Sequence, residues 1–114
     1  MPIVDQIYYP KYTAQSDYLE FCSDLEHPGY GGLFSIVLKT SKEAEHFYDL
    51  IPINKGPSLG TSFTLACPYT VLAHYCELDW AQRYGVSPWL VRVSVGVEDL
   101  DWLIKVFLEA LDMA

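Results

Sequence analysis

Residues 90–99 read LVRVSVGVED. Leu90, Val91, Val93 and Val95 make the stretch a buried strand, because β-branched and apolar side chains suit a covered, pleated surface. Successive side chains along a strand point to opposite faces. Val91, Val93 and Val95 therefore share one face, and Leu90, Arg92 and Ser94 share the other. The valines suit packing beneath a helix, and residues 97–113 (VEDLDWLIKVFLEALDM) supply one directly afterwards. Glu98, Asp99 and Asp101 favour its first turn. Val97, Leu100, Leu103, Ile104, Phe107 and Leu111 line one side of it. The opposite strand face holds a guanidinium with no charged neighbour until Glu98. Burying an unpaired guanidinium is costly, so an anion is expected to meet it. That anion is either a structural carboxylate, one of the chain's 15 acids, or a ligand.

Working outward, Val4–Tyr9 reads as an opening strand closed by Pro10. Residues 14–25 (AQSDYLEFCSDL) show near-helical spacing of Tyr18, Leu19, Phe21, Cys22 and Leu25, with Ser16 as a cap. HPGYGG at 27–32 is a dense turn signal. LFSIVLKT at 33–40 is a continuous apolar strand of the buried type. Residues 40–51 form a helix, capped by Ser41 and striped by Ala44, Phe47, Tyr48 and Ile51. Residues 52–70 are rich in Gly, Pro, Ser and Thr. They predict a short strand around Ile53 and Asn54, a loop through Gly60, and a second extended piece. ELDWAQRYG at 77–85 is a short helix ended by Gly85, and 87–96 is the strand carrying Arg92. The order predicts an α/β domain of the α+β two-layer kind: a small, mainly antiparallel sheet with helices on one face.

A chain of 114 residues makes one domain of ordinary size. Its 51% hydrophobic and 15% aromatic content is that of a globular protein. The net charge of −8, with scattered lysines and arginines, argues against nucleic acid and membrane as partners. No apolar run approaches the roughly 20 residues of a membrane helix. MPIVDQIYYPKY lacks a basic region followed by an apolar stretch, so no signal peptide is read there and a cytoplasmic location is expected. Cys22, Cys67 and Cys76 are odd in number and form no C-x-x-C, which argues against a disulfide framework or zinc knuckle. Many aromatics, Tyr8, Tyr12, Tyr69 and Tyr75 among them, leave open an interface or ordinary core and surface roles.

Catalytic sets are thin. His27, His46 and His74 are isolated and no metal-site pattern is found, so no metal is expected. There is no G-x-S-x-G elbow. None of the five lysines sits in an apolar surround that would clearly lower its pKa. The one unusual loop is KGPSLGTS at 55–62. Gly56 and Gly60 bracket Pro57, Ser58 and Leu59, so backbone N–H groups and the Ser58 hydroxyl could face an anion. It is not a phosphate loop, because G-x-x-x-x-G-K-[ST] is missing. By itself it reads equally as a turn.

Taken in order, GYGGLFSIVL (29–38), SLGTSFTLACPYTVLAH (58–74) and GVSPWLVRVSVGVEDLDWLIKVFLEAL (85–111) resemble the C-terminal domain of the Cys/Met-metabolism enzymes that use pyridoxal 5'-phosphate (PLP). The resemblance runs from about Val4 to Leu111, and its most specific part is RVSVGVED at the right distance after SLG. It implies the C-terminal domain of PLP fold-type I enzymes over residues 1–114, with the PLP-binding domain, its Schiff-base lysine and its ring-stacking tyrosine absent from this chain. It implies a transsulfuration enzyme most like cystathionine γ-synthase, a transferase or lyase of amino-acid biosynthesis, with this chain inactive alone. A cystathionine or methionine lyase, or a non-catalytic module of the same fold, is the alternative.

What the resemblance implies for the site is equally specific. Arg92 corresponds to the family's arginine that grips the substrate's α-carboxylate, and Ser58 to the serine that adds a hydrogen bond. Pro57 and Leu59 flank that serine. The partners implied are a sulfur amino-acid substrate, the PLP domain and a second copy in a homo-oligomer. The chain departs from the family pattern at three places. Thr61 replaces a second glycine after SLG, Phe63-Thr64 stands where many members have Glu-Ser, and Pro57 occupies a position that helps set reaction preference and is Glu in several members.

Overall fold

The computed structural model describes residues 3–114. Strands are β1 (Val4–Tyr8), β2 (Leu33–Leu38), β3 (Asn54–Lys55), β4 (Leu65–Cys67) and β5 (Val91–Ser94). They form one sheet in the order β1-β2-β5-β4-β3. All neighbours are antiparallel except β3 and β4. Helices are α1 (Pro10–Thr13), α2 (Gln15–Glu20), α3 (Ser41–Leu50), α4 (Tyr69–His74), α5 (Leu78–Arg83) and α6 (Leu100–Met113), with a 3₁₀ turn at Tyr75–Glu77. The mainly antiparallel two-layer architecture is the one expected.

The core lies between the sheet and the paired helices α3 and α6. Ile36 and Leu38 of β2, Val91 and Val93 of β5, and Ala66 of β4 meet Ala44, Phe47 and Ile51 from the α3 side and Ala110 from α6. Phe107 of α6 stacks tilted against Phe34 and Phe47, with ring centroids 6.0 and 6.1 Å apart. The Trp89 indole N–H donates to the Leu38 carbonyl at 2.7 Å and ties the approach to β5 onto β2. Among the described residues no helix is long and apolar enough to cross a membrane.

Several local expectations change. β5 is shorter than 87–96, so Val95 lies past its end and only Val91 and Val93 pack under the helices. α6 starts at Leu100, capped by Asp99, which accepts from the Trp102 N–H at 3.0 Å. Val97 therefore precedes the helix and is 84% exposed, and Leu100 is also exposed rather than buried. The cap of α3 is Thr40, not Ser41. Its hydroxyl accepts from Glu43 N–H while the Glu43 carboxylate accepts from Thr40 N–H, so two otherwise unpaired donors are satisfied together.

The helix expected over 14–25 is shortened to α2, Gln15–Glu20, and a further short helix, α1, precedes it. Pro10, read as a strand terminator, opens α1 as its first residue, where its missing N–H costs nothing. α2 ends at Glu20, and a few residues on the Asp24 carboxylate accepts from the N–H groups of Glu26 and His27 and turns the chain. Phe21 and Leu25 are left exposed, and Ser16 caps nothing.

Candidate functional site

Arg92 sits at the centre of the sheet, on the face turned away from α3 and α6. Its cross-strand neighbours are Ser35 of β2 and Cys67 of β4. Ser35 in turn pairs with Tyr8 of β1. One row, Tyr8–Ser35–Arg92–Cys67, thus crosses four strands on the open face. The register follows from the pattern: Ser35 interrupts LFSIVL as Arg92 interrupts LVRV. Both polar residues project from the face opposite the core.

Arg92 as a whole is half-buried. Its Nη2 donates to the Pro57 carbonyl. The guanidinium centre lies over the Tyr69 ring, 5.4 Å from the centroid, a distance at which ring and cation attract. Among the described residues the ion pairs are His27–Asp24 and His74–Glu77, and Arg92 belongs to neither. Glu98, the acid nearest to it in sequence on this strand segment, is engaged elsewhere: its two oxygens accept from Thr64. The structural carboxylate that could have met Arg92 is thus not provided by the fold. A guanidinium has five donors, and one carbonyl and one ring leave an anion-binding edge.

That edge faces a cleft of about 390 Å³ lined by Tyr8, Ser35, Tyr69, Tyr84, Leu90 and Arg92. Tyr84 ends the expected short helix, found as α5, whereas Tyr69 lies where a second extended piece was expected and opens the helical turn α4 instead. That turn folds there because Thr70, fully buried, donates its hydroxyl to the Ser87 carbonyl at 2.6 Å. That bond is made across 17 residues, so no local signal announces it. Ser35 and Tyr8 could have been found from strand alternation.

The loop of the second motif meets the first. Pro57 is held to Arg92 through its carbonyl, and Ser58 follows it, exposed at the surface. Gly60 donates its N–H to the Ser94 hydroxyl at 3.0 Å and has a φ of +73°, the left-handed region that favours glycine. Thr61, in place of the second glycine, donates its hydroxyl to the Phe63 carbonyl at 2.6 Å and closes the turn. Leu59 stands apart. It lines a separate cleft of about 330 Å³ with Gly60, Ser94 and Val95. The fold therefore brings Arg92 and Pro57 into contact, keeps Ser58 beside them in the chain, and turns Leu59 elsewhere.

Charge at the site is one-sided. Burial pushes the Cys67 thiol up, and the neighbouring Arg92 opposes this only in part, so the thiol stays neutral beside the cation. The residues lining the cleft include no lysine. Lys55, on β3, donates to the Ile51 carbonyl at 2.6 Å and lies over the Tyr48 ring, with burial lowering its pKa. The cleft presents a guanidinium and no lysine amine, so its residues do not supply the covalent anchor of an aldehyde cofactor.

A family model described as Cys/Met metabolism PLP-dependent enzyme matches residues 1–112. Cystathionine γ-synthase of Neurospora crassa is 55% identical over 113 residues, covering 99% of this chain and 18% of that protein. Cystathionine γ-synthase of Saccharomyces cerevisiae is 48% identical over 111 residues, covering 96% and 17%. The chain thus spans less than a fifth of the length of these relatives. Among solved structures, a cystathionine γ-lyase from Micromonospora echinospora matches with a TM-score of 0.77 at 24% identity, covering 100% of this chain and 30% of that one. An O-acetylhomoserine (thiol)-lyase described as putative, from Campylobacter jejuni, matches at 0.77 and 21% identity, over 98% and 27%, and carries a pyridoxyl-lysine. These structural likenesses show the fold.

Proposed function

The chain belongs to the Cys/Met metabolism PLP-dependent enzyme family, and on that premise we propose that it forms the substrate-carboxylate-binding part, the C-terminal domain, of a cystathionine γ-synthase-like enzyme. The observation that carries the reading is Arg92. It is half-buried on the open sheet face, with no acid of the described residues in ionic contact, beside the loop that bears Ser58. Arginine is suited to this role because its planar fork can grip both carboxylate oxygens at once. Ser58 adds a hydroxyl donor at the rim. Together they orient the amino acid by its carboxylate and so fix the direction of its Cα–H bond.

PLP, when bound, supplies an electron sink for charge developing at Cα. Its anchoring residues are assigned to the part of such an enzyme that lies outside residues 1–114, since no lysine lines this cleft. The partners proposed are therefore that cofactor-binding part, a sulfur amino-acid substrate, and a second copy of the protein, in the cytoplasm. Pro57 contributes its carbonyl to Arg92 and offers no side-chain proton or charge to the far end of a substrate. Where Glu at this position sets reaction preference in relatives, preference here rests on other residues.

Replacing Arg92 with Leu in the full-length enzyme tests the reading. Leu matches the apolar strand around it, so the melting temperature should hold. A desolvated charge pair is worth roughly 2–5 kcal/mol, and 1.4 kcal/mol is a factor of ten. The kcat/KM for cystathionine formation should fall at least tenfold, and Arg92→Lys, which keeps charge but loses the fork, should fall less. A variant that melts far lower yet keeps a normal KM while folded would overturn the assignment.

A further inference from the structure

The loop over residues 57–64 is fastened to β5 and its continuation at successive points. Arg92 holds the Pro57 carbonyl at one end. Ser94 accepts from Gly60 N–H in the middle. Beyond it, the Val97 N–H donates to the Ser62 carbonyl at 2.8 Å. At the far end the two oxygens of Glu98 divide between the two donors of Thr64, the backbone N–H at 2.8 Å and the hydroxyl at 2.7 Å. The same hydroxyl oxygen accepts from Gly96 N–H at 2.9 Å. Thr64 is fully buried, so its N–H and hydroxyl would lack acceptors without Glu98.

The approach is close enough to exclude any side chain at residue 96. A Cβ there would sit 2.5 Å from the Phe63 carbonyl carbon and the Ser62 oxygen, and 2.6 Å from Glu98 Oε1. Gly96 thus lets the two chains touch, and Glu98 fixes how they touch. The acid adjoining the strand is spent on the loop and not on the arginine.

We propose that Glu98, acting through Thr64, is a positioning residue of the carboxylate site: it sets the loop so that Ser58 and the Pro57 carbonyl stand correctly against Arg92. The inference rests on the reading of Arg92 as the carboxylate grip. It assigns to Glu98 no contact with substrate. A loop free at its distal end would still carry Ser58 but would hold it over a wider range of places, and binding geometry of this kind tolerates little looseness.

The test uses full-length holoenzyme and L-cystathionine as the probe, with Kd measured calorimetrically and kcat in the cystathionine-forming direction. Glu98→Ala should weaken L-cystathionine binding by about fivefold or more, well below its melting temperature. Thr64→Val, which keeps shape and removes only the hydroxyl, should do so in the same direction and serves where the alanine variant does not fold. Glu98→Gln, which keeps one acceptor for the Thr64 N–H, should recover part of the loss. The double variant Glu98→Gln/Thr64→Val should lose less than the sum of the two, because both break one linkage. Variants that melt lower but bind L-cystathionine normally would make Glu98 purely structural and overturn the inference. Arg92→Leu is measured alongside. If it weakens binding and the Glu98 and Thr64 variants do not, the positioning role alone fails. If it does not, the carboxylate reading fails and the positioning role falls with it.

Discussion

Arg92 and Glu98, six residues apart, end with opposite fates. Hydrogen bonds from Thr64, the backbone one first, hold the Glu98 carboxyl below its ordinary value of 4.5. A carboxylate depressed on folding adds stability that is present above its unfolded pKa and is lost as pH falls through the folded one. The melting-temperature gap between wild type and Glu98→Gln should thus be full near pH 7 and shrink as pH drops below about 4.5. A gap that stays constant down to pH 3 would contradict the hydrogen-bonded carboxylate. Cys67 behaves in the reverse sense, with burial raising its pKa and leaving little of the thiolate that alkylating reagents need. It should stay unlabelled in the folded protein and label on unfolding, and rapid native labelling of Cys67 would argue against its burial.

At the scale of elements, the strands, the two long helices and the short α5 were legible, whereas α1 and α4 were not. LFSIVL and LVRVS announce their strands by composition, and their register by the polar residue inside each. The stripe of α6 was legible at Leu103, Phe107 and Leu111, but Ile104 is exposed while Val106 and Ala110 are buried instead, and the start was set by the Asp99 cap, which periodicity alone does not locate. α4 escaped because Pro68, Tyr69, Thr70 and Val71 carry weak helix preference, and the Thr70–Ser87 bond that favours it is tertiary. The Thr40 cap differed from the Ser41 expectation by one residue, a choice that the reciprocal bond with Glu43 decides. Thr40→Ala should cost about 1 kcal/mol in denaturant unfolding, while Ser41→Ala should cost a few tenths at most. Equal effects at the two positions would contradict the observed cap.

At the scale of the whole molecule, one sheet face is covered by α3 and α6 and the other is open around Arg92. The site was legible in so far as a lone arginine in an apolar strand demands an anion. Its walls were only partly so, because Tyr69 is placed by the α4 turn, which the Thr70–Ser87 bond holds between distant segments. Ile7, Tyr8, Leu33 and Leu59 are all exposed on or beside the sheet, and exposed apolar surface of a few hundred Å² marks a contact region. Residues 1–114 produced alone should therefore self-associate and bind a hydrophobic dye. Sedimentation as a clean monomer without dye binding would count against a covered face in the full enzyme. The central claim is that Arg92 meets a substrate carboxylate, and discrimination between acid and amide tests it most directly. The affinity of full-length holoenzyme is compared for L-cystathionine and its bis-amide, in which both carboxylates are uncharged, in wild type and Arg92→Leu. The account predicts a preference for the acid of at least tenfold in wild type that falls severalfold in the variant; an unchanged preference in a folded Arg92→Leu enzyme would contradict it.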